Sequence, residues 1–146
     1  MQFEVHSSDG FLERIVRVPD YDLSLPGDAV AAERSARLGD NPSPRRRGYM
    51  DALPVPDTRP AYSELLVDAE GCVWAAEHIG SMTGWLSVDP RYWEVFGADG
   101  TWLGRVHTPA RFTVFEVGSD YVLGSLRDEL DVEHVQLLRL DRRSFH

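Results

Sequence analysis

This chain repeats itself, and that constrains its fold more than any other feature. Phe3 to Leu12 reads FEVHSSDGFL, and Trp93 to Trp102 reads WEVFGADGTW. Superposed, Glu4 falls on Glu94, Val5 on Val95, Asp9 on Asp99, Gly10 on Gly100 and Pro19 on Pro109, every pair 90 positions apart. Each copy alternates apolar and polar residues, reaches Asp-Gly, alternates again and stops at a proline. Alternation with a period of two is the pattern of a half-buried strand, and Asp-Gly accepts the positive φ that a two-residue hairpin turn requires. Both copies are expected as antiparallel hairpins.

Two further hairpins of a second kind are read in YSELLVDAEGCVWAAEH (Tyr62 to His78), turning at Glu70-Gly71, and FTVFEVGSDYVLGSL (Phe112 to Leu126), turning at Ser119-Asp120. The turns are 49 residues apart, from Glu70 to Ser119. A last apolar strand, VEHVQLLRLDR, runs from Val132 to Arg142 and sets Val135, Leu137 and Leu138 on Trp93, Val95 and Phe96. With the second kind of hairpin inner and the first kind outer, the order is outer pair, complete set of four, inner pair, single outer strand. A repeat of about 50 residues built from four antiparallel strands is the pattern of a β-propeller blade, a sheet that buries its faces only by stacking on its neighbours. A nine-stranded sandwich or barrel would also give short alternating strands, but not this self-similarity.

The expected fold is therefore all-β. It is a propeller fragment of about two and a quarter four-stranded blades, with one short helix in a long inter-blade insertion. Residues 1–19 form the outer strands of one blade, 20–61 the insertion, 62–109 a complete blade and 110–146 a last blade lacking its outermost strand. Within the insertion, DAVAAERSARLG suits a helix with Asp28 as N-cap and Gly39 just past its end. The prolines of NPSPRRRGYM and LPVPDTRP read as extended chain. The insertion is either a lid over the central channel or a decorated connection.

LLVDAEGCVWAAEH, WEVFGADGTWLGRV and VGSDYVLGSLRDELDVEHVQLLRL together resemble the C-terminal blades of bacterial six-bladed β-propellers of the NHL/TolB-like kind, in which D-x-x-G-x-[VL]-W and V-F-x-x-[DE]-G recur once per blade. The resemblance covers the chain except about Tyr21 to Arg59. It implies a parent ring of about six blades, whose last blade is closed by a strand from the chain's start. Against that pattern this chain has little more than two blades and begins inside one.

Composition narrows the partners. With 24 acidic and 15 basic residues the net charge is −9, which repels phosphate backbones and anionic lipid and argues against nucleic acid. All 15 basic residues are arginine, read first as codon bias. The lone Cys72 follows Gly71 in an apolar run and reads as a buried thiol. No stretch approaches the roughly 20 apolar residues that cross a bilayer. MQFEVHSSDG already alternates like a strand and is no signal peptide. The compartment is cytoplasmic, or periplasmic or extracellular if a longer parent chain carries a leader.

Candidate site residues follow from where the loops fall. In a four-stranded meander the tight turns share one end, and Asp20 to Ala61, Ile79 to Arg91 and Asp128 to Asp131 share the other, so ligand-binding residues are sought there. His78, His107 and His134 lie near that end and are candidates for a metal or an acid-base pair, against a purely structural role. In RDELDVEH, Asp128, Glu129, Asp131 and Glu133 are a candidate Ca²⁺ cluster, against a plain polar turn in which Arg127 pairs with a neighbour. Trp85 and Arg91 complete the candidate ligand set, and Arg45, Arg46 and Arg47 could grip an anion. Trp74, Trp93 and Trp102 read as packing residues. No G-x-S-x-G, H-E-x-x-H, C-x-x-C or phosphate-cradling glycine loop is present.

The sequence reads best as a scaffold binding a ligand or protein, the rest of its own propeller included, with no cofactor called for. The alternative is a lactonase-like propeller hydrolase or lyase with a metal or histidine site at the channel mouth. A fragment, truncated at an internal methionine, or half of an assembly is expected. It would expose the apolar face of its first sheet and the unpaired edge of its last strand.

Overall fold

The computed structural model describes residues 2–19, 21–25, 27–55, 57–78 and 90–142. Nine strands and two helices are described: β1 (Gln2–His6), β2 (Leu12–Arg17), α1 (Gly27–Leu38), α2 (Pro44–Ala52), β3 (Tyr62–Val67), β4 (Val73–Glu77), β5 (Arg91–Phe96), β6 (Trp102–Thr108), β7 (Phe112–Val117), β8 (Tyr121–Arg127) and β9 (Glu133–Arg139). The strands form three antiparallel sheets in chain order: β1-β2, then β3-β4-β5-β6, then β7-β8-β9. No described helix is long and apolar enough to cross a membrane.

Four turns share one geometry, which differs from the two-residue turn expected at Asp-Gly. In residues 7–11, 68–72, 97–101 and 128–132 the first amide donates to the fifth carbonyl at 2.8–3.0 Å, and the fourth amide returns to the first carbonyl at 2.8–3.1 Å. The fourth residue is left-handed in each: Gly10 at φ 85°, Gly71 at 77°, Gly100 at 87° and Asp131 at 65°. These are three-residue loops, a type I turn followed by a left-handed bulge. The left-handed conformation favours glycine at the last loop position, Asp131 being the exception, and the aspartates before it, Asp9 and Asp99, keep ordinary negative φ. At Ser119-Asp120, by contrast, Gly118 and Tyr121 close a two-residue loop (Gly118 N to Tyr121 O, 2.9 Å).

Alternation sorts the middle sheet into two apolar faces. One carries Cys72, Trp74, Ala76, Trp93 and Val95 against Phe112, Val114, Val117 and Val122 of the last sheet. The other carries Val73, Ala75 and Phe96 against Phe3 and Val16 of the first sheet. Trp74 and Trp93 meet edge to face at 6.5 Å, and Phe3 meets Phe96 at 5.3 Å. A buried tryptophan of this kind contributes about 3–5 kcal/mol, judged by its removal. A tryptophan that sequence assigned to packing does otherwise: Trp102 is 58% exposed and donates its indole N–H to Glu94 Oε2 at 2.7 Å.

Residues 20–60 form a compact unit of their own. It holds two helices where one was expected. Prolines suggested extended chain over NPSPRRRGYM, but Pro44 opens α2, where its missing N–H costs nothing, and Ser43 caps it by accepting from Arg46 N at 3.3 Å. Arg45, Arg46 and Arg47 are thus helical, and Arg46 donates to Arg37 O of α1. α1 begins one residue before the expected cap, placing Asp28 in its first turn, and Gly39 at φ 70° ends it with its amide on Ser35 O. Ser24 bridges Thr58, closing the unit's ends on each other.

Candidate binding surface

One repeat position tells where the chain is open. Phe3, Trp93 and Val135 occupy equivalent places on β1, β5 and β9, each turned toward the side on which the following sheet lies. Phe3 is 8% exposed, Trp93 0% and Val135 74%. Two residues on, Val95 is fully buried while Leu137 is 65% exposed. The chemistry is apolar each time, and only the first two have a sheet stacked on them. Leu123 pairs with Leu137 on the same face, and Phe115 is exposed on neighbouring β7. β9 pairs with β8 alone among the described strands. The outer face of β7-β8-β9 thus carries an apolar strip, Leu123, Val135 and Leu137, between the Arg127–Glu133 pair and the Tyr121–Glu116 hydrogen bond, flanked by one free edge.

The opposite end differs from expectation. The outer face of the first sheet is not uniformly apolar: Gln2, Glu4, His6, Glu13 and Arg17 are exposed, with Leu12 and Ile15 among them. His6 Nε2 meets Glu4 Oε2 at 3.0 Å and Arg17 Nε donates to Gln2 Oε1 at 2.9 Å. The Glu4 bond and the Gly10 carbonyl push the His6 imidazole above its ordinary pKa. Side-chain pairs, not a neighbouring sheet, occupy this face.

The D-x-x-G-x-x-W motif has a physical role. Asp68, its carboxylate fully buried, takes the amides of Glu70 and Cys72 on Oδ1 at 2.9 and 2.8 Å, and Trp74 Nε1 and Arg142 Nη2 on Oδ2 at 2.9 and 2.8 Å. Burial pushes this carboxyl up, but the Trp74, Arg142, Cys72 and Glu70 bonds outweigh it and hold it below the ordinary range. Asp128 repeats the arrangement: Oδ1 accepts from Leu130 and Val132 amides, both at 2.9 Å, and Oδ2 meets His134 Nε2 at 2.9 Å. The second copy reads DELDVEH, with Asp131 for glycine and His134 for tryptophan. Sequence gave no sign of Arg142, which reaches Asp68 from 74 residues away.

The candidate ligand residues are dispersed into local partnerships. Arg91 Nη1 donates to Glu64 at 2.7 Å and Nη2 to Ser63 at 2.8 Å, with the guanidinium 5.4 Å from the Trp93 ring. His107 sits on β6 opposite Tyr92, their rings 5.1 Å apart. His78 follows β4, its amide on Ala61 O. His134 is held by Asp128. The three histidines are not gathered, and among the described residues no group of three or more His, Cys, Asp or Glu side chains is placed to hold a metal. In RDELDVEH, Arg127 takes Asp131 and Glu133, and Asp128 is engaged as above, leaving Glu129 exposed in the turn. Trp85 lies outside the described residues. Cys72 is buried, and burial and the Asp68 charge push its thiol up, the opposite of a nucleophile's need.

Compared with family models, with curated proteins and with solved structures, the chain has no match.

Proposed function

We propose that this chain is part of a scaffold of stacked β-sheets, of β-propeller type, that binds another protein's antiparallel sheet on the outer face of β7-β8-β9. The carrying observation is the exposure of Val135 and Leu137 at repeat positions where Trp93 and Val95 are completely buried. An exposed set of large apolar side chains on a regular sheet, beside an unpaired strand edge, is the form a protein-binding surface takes. A four-stranded sheet between two incomplete ones, each stacked on the next through the same repeat positions, supports the propeller reading. Binding, not catalysis, is the activity that such a face can perform.

A photo-crosslinking amino acid placed at Leu137 tests this, with Glu13 on the polar outer face of the first sheet as control. Leu137 is expected to give a defined adduct that Val135→Asp abolishes, mapping by mass spectrometry to strand segments of the partner. Equal labelling from both positions, or an adduct indifferent to Val135→Asp, would overturn the assignment.

A further inference from the structure

A second open place lies on the other side of the middle sheet. Leu65, Leu66 and Val67 are consecutive residues of β3, so they alternate between its faces. Leu66 points toward the last sheet and packs against the core shared with its strands. Leu65 and Val67 point toward the first sheet, with Ala75 and Val73 as cross-strand partners, yet they are 49% and 70% exposed. Ala75 and Phe96 on that same face are 0% and 1% exposed. The difference lies in what each neighbour supplies. The last sheet has an inner pair, β7 and β8, while the first sheet consists of β1 and β2 alone among the described strands.

The direction of the opening is set by contacts. Phe3 of β1 touches both Tyr62 of β3, at 6.4 Å, and Phe96 of β5. On β2, the Val16 side chain lies 3.1 Å from where a Cβ on Gly100 would sit. β2 therefore lies over the β5-β6 turn, and the free edge of β1 faces the β3 side, beside uncovered Leu65 and Val67. An unpaired backbone edge runs next to an apolar floor continuous with an interface already made.

From this juxtaposition we infer a docking slot for an antiparallel β-hairpin from another polypeptide, pairing with the free edge of β1 and packing apolar side chains on Leu65 and Val67. This is separate from the outer face of β7-β8-β9. The middle sheet supplies the template. There β3-β4 sits beside β5 with Ala75 opposite Glu94, so the incoming hairpin's second strand takes β1 with the equivalent residue opposite Glu4. The residue equivalent to Trp74 then lies over the floor, as Trp74 itself lies against the last sheet. Main-chain bonds give the attachment and alternate apolar side chains the specificity, the mode of strand addition at a sheet edge.

The probe is a peptide of sequence Tyr62–His78, closed through a D-Pro-Gly turn so that it is a hairpin before binding, since an isolated open hairpin is marginal in water. Fluorescence anisotropy with the full chain is expected to show saturable binding, weakened at least tenfold by Val67→Asp and unchanged by Leu137→Asp. Hydrogen exchange should show new protection at β1 amides. Val67 is exposed, so the variant keeps its fold, checked by its unchanged far-ultraviolet spectrum. Absence of saturable binding, indifference to Val67→Asp, or loss on Leu137→Asp would each overturn the slot, and the last would move the hairpin to the outer face of β7-β8-β9.

Discussion

Arg142 Nη2 lies 2.8 Å from Asp68 Oδ2 and 2.7 Å from Gly118 O, so one guanidinium joins a turn of the middle sheet to a turn of the last. Its Nε donates to Ser119 O at 2.7 Å. Removing it leaves a buried carboxylate short of one cationic donor. Arg142→Ala is expected to lower stability by about 3 kcal/mol, the low end for breaking a buried pair because three other donors stay on Asp68. Arg142→Lys should recover little, since an ammonium cannot reach three acceptors arranged for a fork. Urea unfolding checks both, and a loss under 1 kcal/mol for the alanine variant would show the contact to be incidental.

The same carboxylate has a pH signature. Burial raises the Asp68 pKa, but hydrogen bonds from Trp74, Arg142, Cys72 and Glu70 lower it further, so the folded value lies below the unfolded one. Its stabilisation is complete above the ordinary carboxylate range, about pH 4, and is lost as pH falls through the folded value. Asp68→Asn should therefore flatten the acid limb of stability against pH, and parallel curves for variant and parent between pH 5 and 2 would contradict this.

Gly10 and Gly100 hold the same left-handed turn position with different surroundings. A Cβ at Gly10 would meet nothing within 4 Å, whereas one at Gly100 would lie 3.1 Å from Arg14 and Val16. Gly10→Ala should cost only backbone strain, about 1–2 kcal/mol. Gly100→Ala adds pressure on the contact between the first and middle sheets and should cost more. Thermal unfolding of the pair separates strain from packing.

On β8, Gly124 has backbone on top of it. An added Cβ would sit 2.3 Å from Thr113 O and 2.4 Å from the Phe112 ring. Gly124→Ala should exceed the about 1–3 kcal/mol typical of overpacking, because a carbonyl cannot rotate away as a side chain does. Hydrogen exchange should then show lost protection between β7 and β8, with β5-β6 unaffected.

The hairpins are legible in sequence because alternation and Asp-Gly are local signals, and the repeat gives each hairpin a second copy to be compared with. What escaped was of two kinds. The second helix hid behind prolines, because Pro44 terminates an extended run and opens a helix equally well, and only Ser43 capping Arg46 decides. The Asp68 anchor escaped because its meaning depends on Arg142, and nothing in spacing joins residues so distant. Trp102 differs from expectation because alternation fixes the face of a strand residue but not what covers it: its indole bonds Glu94 and the residue stays 58% exposed. The histidines, near one end in topology, are separated by side-chain partners that sequence does not show: Tyr92 for His107 and Asp128 for His134.

The charged outside of β1 and β2 has a consequence for how copies of this chain behave at high concentration. Filaments grow when one end of a subunit fits the opposite end of the next, a contact that never closes. Here such a step would press Glu4, His6 and Arg17 onto Val135 and Leu137 and strip water from charged groups with nothing offered in return. Head-to-tail stacking of copies through these two faces is therefore opposed by the desolvation of charged groups, whatever each face binds in its own right.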